Sequence, residues 1–326
     1  MLKIICGAIV VLLMSCASDK TEVTLRVGHT LDTQHSVHQA MAYMGERLAY
    51  YSDGQMNMKL YPNGQLGAER EMVELLQIGS LAMTKVSAAT LEGFVEDMRL
   101  FGLPYVFQSR KQRWDILESQ IGEDILLSLQ SAHLRGLGYF DAGSRSFYTC
   151  DKELSQPGDL RGMKIRVMNS QNAVKMVSAF GGSATPISWG ELYAALQQRV
   201  VDGAENNPPS FFISRHYEIC KYYTLNEHTA VPDVIIVSQH IFDNLTPQQQ
   251  DWLKRAMSDA VTKQKELWLA SENDALAAIK AAGVKVVYPD KTPFINAVSH
   301  LHDSYAGTKV GEYLQRIDEL NARQTQ

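Results

Sequence analysis

Between residues 22 and 60 the chain changes its hydrophobic period twice. Glu22 to His29 alternates Val23, Leu25 and Val27 in the manner of a strand, His35 to Tyr51 carries apolar residues at helical spacing, and Met56, Met58 and Leu60 alternate again. Strand, helix and strand in so short a span predict a βαβ unit, with two parallel strands and the connecting helix packed across them. This makes a parallel α/β sheet the expected core.

The alternation continues along the chain. Pro62-Asn63-Gly64 reads as a turn, Glu69 to Ile78 as a helix stopped by Gly79, and Leu81 to Val86 as another strand, which together describe an open α/β lobe. A second set begins after Asp141: Arg145 to Thr149 and Met163 to Val167 read as strands, and Ser170 to Phe180 as a helix ended by Gly181-Gly182. Val234 to Val237 is a β-branched run of core character, which predicts a return to the first lobe. Thr246-Pro247-Gln248-Gln249 then combines a capping-box pattern with proline at the first helical position. Leu253, Met257, Val261, Leu267 and Trp268 follow at roughly helical spacing, and no breaker appears before Gly283, so a very long helix bracing both lobes is expected. The predicted division is 22–143 with 233–270 as lobe I, and 144–232 with 271–326 as lobe II.

Lys3 precedes an apolar run from Ile4 to Met14 that is too short to span a bilayer and reads as a signal peptide. Leu13-Met14-Ser15-Cys16 resembles a bacterial lipobox. In that reading residues 1–21 are leader and tether, Cys16 is the lipidated first residue of the mature protein, and the protein is periplasmic and lipid-anchored to a bacterial membrane. The alternative is an ordinary secretory signal with an incidental cysteine. Roughly 300 residues remain beyond the leader, enough for two lobes of ordinary size. A hydrophobic content of 45% and a charged content of 21% are those of a soluble globular protein. The net charge of -5 argues against nucleic acid as a partner. Cys150 and Cys220 stay in the mature chain, either as a pair or as two buried free thiols.

The stretch from Leu160 to Phe211 sets one arginine, one aromatic and one amide at the ends of predicted elements. Arg166 ends a short apolar strand, Trp189 opens a helix, and Asn206 follows a second extended segment, so all three could converge on one cleft. A planar guanidinium offers parallel donors to a carboxylate, and an amide can bond the same group or a neighbouring hydroxyl. This is the chemistry of recognising an organic acid. Taken alone, each residue also has a plainer use: Arg166 in a surface ion pair, Asn206 as a turn former before Pro208-Pro209, Trp189 in the core. The chain contains no dinucleotide fingerprint, P-loop, zinc-protease motif or nucleophile elbow. His300 and His302, two apart, point in different directions on a helix, and His228 is a cleft candidate without an evident partner. No metal site and no cofactor are expected.

Several segments in one order carry a resemblance: V-G-H-T at the first strand end, L-Y-P-N-G-Q-L-G-A-E-R-E at Leu60 to Glu71, L-P-Y-V at Leu103 to Val106 and G-S-R-S-F at Gly143 to Phe147. M-K-I-R-V-M-N at Met163 to Asn169 and V-D-G-A-E-N at Val201 to Asn206 complete the set. The mature chain resembles the solute receptors of TRAP (tripartite ATP-independent periplasmic) transporters, the DctP family. The resemblance implies a two-lobed clamshell like that of periplasmic binding proteins, with a long helix spanning both lobes and the ligand held between them. It implies as partners a small-molecule carboxylate and the small and large membrane subunits, of DctQ and DctM type.

It also implies roles for individual residues. Arg166 falls on the carboxylate-binding arginine, Asn206 on the amide that follows, Arg145 and Asn169 on positions lining the cleft, and Trp189 where an aromatic often stands. In the first lobe Glu69 falls on an acidic residue facing the ligand, although a first-turn helix acid explains it equally. His29 and Thr30 end the first strand, where ligands bind in open α/β sheets, and Ser87 lies beyond another strand end. Thr30 and Ser87 replace an asparagine and a glutamate of the sialic-acid receptors, which weakens a sialic-acid reading. The expected ligand is a monocarboxylate sugar acid, a uronate such as D-glucuronate or D-galacturonate, because Glu69, His29, Asn169 and Asn206 supply polar readers beside the clamp. Two arginines also fit a C4-dicarboxylate. An exported enzyme acting on acidic sugars would need a poised acid and base that the sequence does not show. A sensor receptor addressing a membrane kinase would use the same clamshell.

Overall fold

The computed structural model describes residues 22–324. The leader and Cys16 lie outside the described residues. Two sheets form the framework. The first has the order β2-β1-β3-β10-β4, from β1 (Val23–Gly28), β2 (Met56–Tyr61), β3 (Met83–Ser87), β4 (Leu134–Phe140) and β10 (Asp233–Ser238). The second has the order β11-β9-β5-β8-β6-β7, from β5 (Arg145–Thr149), β6 (Lys164–Val167), β7 (Ser183–Pro186), β8 (Gly203–Asn206), β9 (Tyr222–Thr229) and β11 (Lys285–Val287).

The opening βαβ unit forms as its periodicity predicts. β1 pairs parallel with β2 and β3, and the helix Ser36–Tyr51 lays Val37, Ala40, Met41, Met44 and Leu48 into the core beside Leu25 and Val27. The expected parallel pairing holds for β1 with β2 and β3 and for β6 with β7 and β8, but both sheets are mixed, because β10 runs antiparallel to both β3 and β4, and β5 antiparallel to both β8 and β9. These strands flank the places where the chain crosses between sheets, β4 to β5 and β9 to β10. β4 leaves the first sheet and β10 returns to it at the same end, and β5 enters the second sheet where β9 leaves it, so each outgoing strand runs opposite to the neighbouring incoming one.

One helix ties the two halves together. Thr246 caps Pro247–Ala281 by accepting from Gln249 N, and the helix runs 35 residues, about 52 Å at 1.5 Å per residue. Leu253, Ala256, Met257 and Ala260 pack into the core of the first sheet, while Ile279 packs with Tyr148, Leu196, Phe211 and Tyr223 of the second. Between them Gln264, fully buried, brackets the backbone of Asp141 at the β4–β5 crossing: Asp141 N donates to its Oε1 and its Nε2 donates to Asp141 O, both at 2.7 Å. The crossing segment is thus bonded to the middle of the bracing helix.

The tail departs from the expected division. The helix Lys309–Gln324 lies against the first lobe, where Tyr313 Oη donates to Asp97 Oδ2 at 2.7 Å and Arg316 pairs with Asp124 at 2.8 Å. Residues at the end of the 271–326 segment therefore return to the first lobe, which buries Val310, Tyr313 and Ile317. Cys150 and Cys220 are joined as a disulfide. They meet because β5 ends and β9 begins side by side, with Thr149 opposite Tyr222.

Candidate ligand-binding site

A cavity of about 350 Å³ lies between the two sheets, where the C-terminal ends of β1, β3, β6 and β8 converge. Eight of the nine residues singled out in the sequence line it: Thr30, Glu69, Ser87, Arg145, Arg166, Asn169, Trp189 and Asn206. Strand register explains the grouping in the second lobe. β8 lies between β5 and β6, with Asn206 opposite Ser146, Glu205 opposite Phe147 and Ala204 opposite Arg166. Since side chains alternate along a strand, Asn206 and Ala204 share a face, and Arg166 is a diagonal neighbour of Asn206.

Arg166 is 2% exposed. Its Nε donates to Ile187 O at 2.8 Å, its guanidinium carbon lies 5.8 Å from the centre of the half-buried Trp189 ring, and its Nη1 is buried without a hydrogen-bond partner among the described residues. Burial lowers the pKa of the guanidinium, as loss of water does for any cation. A buried donor left without an acceptor is costly, so this arrangement is suited to an anion entering the cavity.

Arg145 also lines the cavity, but its donors are committed to protein. Nε and Nη2 bond the Glu205 carboxylate, Nη2 also donates to Glu205 O at 2.7 Å, and Nη1 donates to Asn206 Oδ1 at 2.9 Å. Burial opposes ionisation of Glu205, yet Arg145 and His228 outweigh it and hold the carboxyl down to about 2. His228 thereby acquires the partner that the sequence did not reveal: its Nε2 lies 3.4 Å from Glu205 Oε2, behind the cavity wall. Asn206 Oδ1 accepts from both Arg145 and the backbone N of Asn207, which orients the amide and leaves Nδ2 as its donor.

The first-lobe wall contains residues that the sequence reading missed. Lys85, 3% exposed, donates to Glu69 Oε1 at 2.9 Å and to Asp233 Oδ1 at 3.1 Å. Asp233 pairs with Ser87 across β3 and β10, so Lys85, two residues before Ser87, reaches it diagonally. Thr90 Oγ1 and Ser87 N donate to Glu69 Oε2 at 2.8 and 3.2 Å. Burial opposes ionisation of Glu69, but Lys85 and these donors hold its carboxyl below the usual range, whereas burial raises Asp233. The available signal was a lysine in the middle of a strand that is buried along its whole length, Met83–Ser87.

His29 is not brought to the cavity. It is fully buried, its Nδ1 accepts from Leu31 N at 3.2 Å, and its Nε2 therefore carries the hydrogen that bonds His38 Nδ1 at 2.9 Å. Burial, with Lys85 nearby, pushes its pKa down to about 3, so the ring is neutral. His35 takes the place beside the cavity: it caps the helix Ser36–Tyr51 and its Nε2 reaches Ser210 Oγ of the second lobe at 3.4 Å. Glu92 of the first lobe likewise accepts from Ser170 Oγ at 2.8 Å, at the start of the helix Gln171–Ala179. Trp268, from the long helix, lines the cavity as well, and its buried Nε1 has no hydrogen-bond partner among the described residues.

Fold and site together define a class, the two-lobed solute-binding protein with its cavity at the lobe interface. The chain belongs to a family within it, bacterial extracellular solute-binding protein family 7 (DctP), which it matches over residues 27–308. It is 35% identical over 284 residues to the uncharacterized protein YiiZ of Salmonella typhimurium, with 86% of each chain covered. Among solved structures, a TRAP periplasmic solute-binding protein from Bradyrhizobium sp. BTAi1 in complex with D-galacturonate is 35% identical, with a TM-score of 0.89, over 91% of this chain and 99% of that one. Another from Pseudomonas putida F1, with bound D-glucuronate, is 34% identical, with a TM-score of 0.88, over 91% and 97%. Members of the family are extracytoplasmic binding proteins, and among the described residues no helix is long and apolar enough to cross a membrane.

Proposed function

We propose that this chain is the solute receptor of a TRAP transporter and that its ligand is a hexuronate, D-glucuronate or D-galacturonate. The observation that carries the reading is Arg166, buried at the cavity wall with Nη1 unpartnered. A carboxylate accepting two parallel hydrogen bonds there would supply the missing acceptor, with Asn206 Nδ2 as a further donor. The uronates bound by the Bradyrhizobium and Pseudomonas relatives support the same ligand class. Hydroxyls would then meet Glu69, Asn169 and Ser87, and a sugar ring could lie against Trp189.

Uptake works by closure. A ligand that touches Arg166 on one lobe and Glu69 on the other binds the closed form better than the open one, and shifts the equilibrium by that difference. Loaded receptor would then dock on the small and large membrane subunits. Cys16 would hold the mature chain to the membrane through lipid, which mass spectrometry of the exported protein would detect as a diacylglyceryl modification. The solute leaves chemically unchanged, so an NMR spectrum of the sugar after long incubation with the protein should be unaltered.

A thermal-shift panel of uronates, aldonates, sialic acid and C4-dicarboxylates tests the ligand class, because a solute bound only to the native state raises the apparent stability. The largest shifts are expected with uronates. Shifts confined to dicarboxylates or to sialic acid would overturn the assignment.

A further inference from the structure

The cavity is electrically two-ended. At the second lobe Arg145 is matched by Glu205 in a direct ion pair, whereas among the described residues Arg166 forms none and feels Glu205 and Glu69 only at a distance. At the first lobe a single ammonium, Lys85 Nζ, touches two carboxylates, Glu69 at 2.9 Å and Asp233 at 3.1 Å, and all three residues line the cavity. With every group ionised, that end carries one excess negative charge. Arg70 also borders the cavity, but its side chain is half-exposed and pairs with Glu74 at 3.1 Å, so its charge is spread into water.

The acids at this end are still able to accept. Glu69 is held rigidly by donors from Lys85, Thr90 and Ser87, and among the described residues Asp233 Oδ2 has no hydrogen-bond partner. Carboxylate oxygens accept hydroxyl hydrogens well and repel other carboxylates. The cavity therefore presents an unmatched cation to one end of a solute and hydroxyl acceptors with an anionic excess to the other.

Resting on the uronate reading above, we propose that Glu69, Lys85 and Asp233 set the charge selectivity of this receptor. They admit sugar acids with one carboxylate and exclude dianions such as aldarates and C4-dicarboxylates. The second carboxylate of a dianion would be forced against two acids that already share one ammonium. Lys85 is the positioning residue, since its charge allows both acids to sit ionised side by side beneath the solute. The second arginine also acts on Asp233, but its ion pair with Glu205 leaves that pair without net charge.

Calorimetric titration at neutral pH with D-galacturonate and with galactarate, the same carbon chain carrying a carboxylate at both ends, tests the proposal in the wild type, Glu69→Gln and Asp233→Asn. The wild type should prefer the uronate by on the order of a hundredfold or more, as a like-charge contact in a closed site demands. Each variant should narrow that ratio by about tenfold or more while still binding the uronate, as removal of one like charge predicts. Ring and open-chain differences are common to all three proteins, so the change in ratio isolates charge. Equal wild-type binding of the two solutes would overturn the charge selectivity and leave the uronate reading standing. So would an unchanged ratio in both variants, including galactarate that stays undetectable while the uronate binds. A wild type that binds neither galactarate nor either uronate, D-galacturonate or D-glucuronate, would overturn the uronate reading and this inference with it.

Discussion

Replacing Arg166 by lysine keeps the charge and removes the geometry. The native side chain is 2% exposed, anchored through Nε to Ile187 O at 2.8 Å, and has Nη1 without a partner. Lysine offers one ammonium where the guanidinium offers parallel donors, so one charge-assisted hydrogen bond to the solute is lost, worth about 1.5–3 kcal/mol. That corresponds to roughly ten- to a hundredfold in affinity. Alanine leaves a buried carboxylate with no cation, a cost of about 3–5 kcal/mol, on the order of a hundred- to several-thousand-fold. Isothermal titration of the wild type and both variants with D-galacturonate reads these values directly, with circular dichroism confirming that each variant is folded. Lysine binding as tightly as arginine would refute the bidentate clamp, and alanine binding as tightly would refute any contact between Arg166 and the acid.

Asn206→Asp retains the acceptor for Arg145 and Asn207 but replaces the Nδ2 donor with an anion beside the solute carboxylate; titration should show affinity falling by about a hundredfold or more, and unchanged binding would place the carboxylate elsewhere. Burial raises Glu92 to about 7, above its unfolded value, so the folded state binds more protons than the unfolded state over roughly pH 4.5 to 7. Its contribution is thus present below that window and is lost as the pH rises through it, by up to about 3 kcal/mol. Glu92→Gln should accordingly raise the melting temperature at pH 8 and make little difference near pH 4.5, as followed by calorimetry. Gly143, at the β4–β5 crossing, has φ +61°, and an added Cβ would lie 2.8 Å from Glu272 Oε1 and 3.0 Å from Trp268 Cζ2. Gly143→Ala should therefore lose about 1–3 kcal/mol and melt several degrees lower, and an unchanged melting curve would contradict the crowding.

The elements legible in the sequence were those with an uninterrupted period. β1, the helix Ser36–Tyr51 and the helix Pro247–Ala281 are repetitive enough for pattern alone, and Thr246 marks the start of the last by a capping box that the structure forms. β4 escaped because Gly136 and Gly138 interrupt its alternation. Gly138 is small for a reason that lies far away in sequence, since a Cβ there would come 2.9 Å from Met257 Cε of the long helix. The tail was misassigned for a similar cause: only the tertiary pairs Tyr313 with Asp97 and Arg316 with Asp124 show which lobe it covers. In the cavity, Arg166 and Asn206 were readable as polar residues at strand ends. Lys85 and Asp233 were not, because their charges make sense only once β3 and β10 are paired. His29, equally polar and at a strand end, faces His38 instead, a choice that local sequence does not encode.

A crystal structure of the chain grown with D-galacturonate or D-glucuronate puts the whole account to the test. The account predicts one uronate between the lobes, its carboxylate bonded to the Arg166 guanidinium and to Asn206 Nδ2, and its hydroxyls on Glu69 and Asp233. A carboxylate bound to Lys85 instead, or a solute that leaves Arg166 Nη1 without an acceptor, would contradict it.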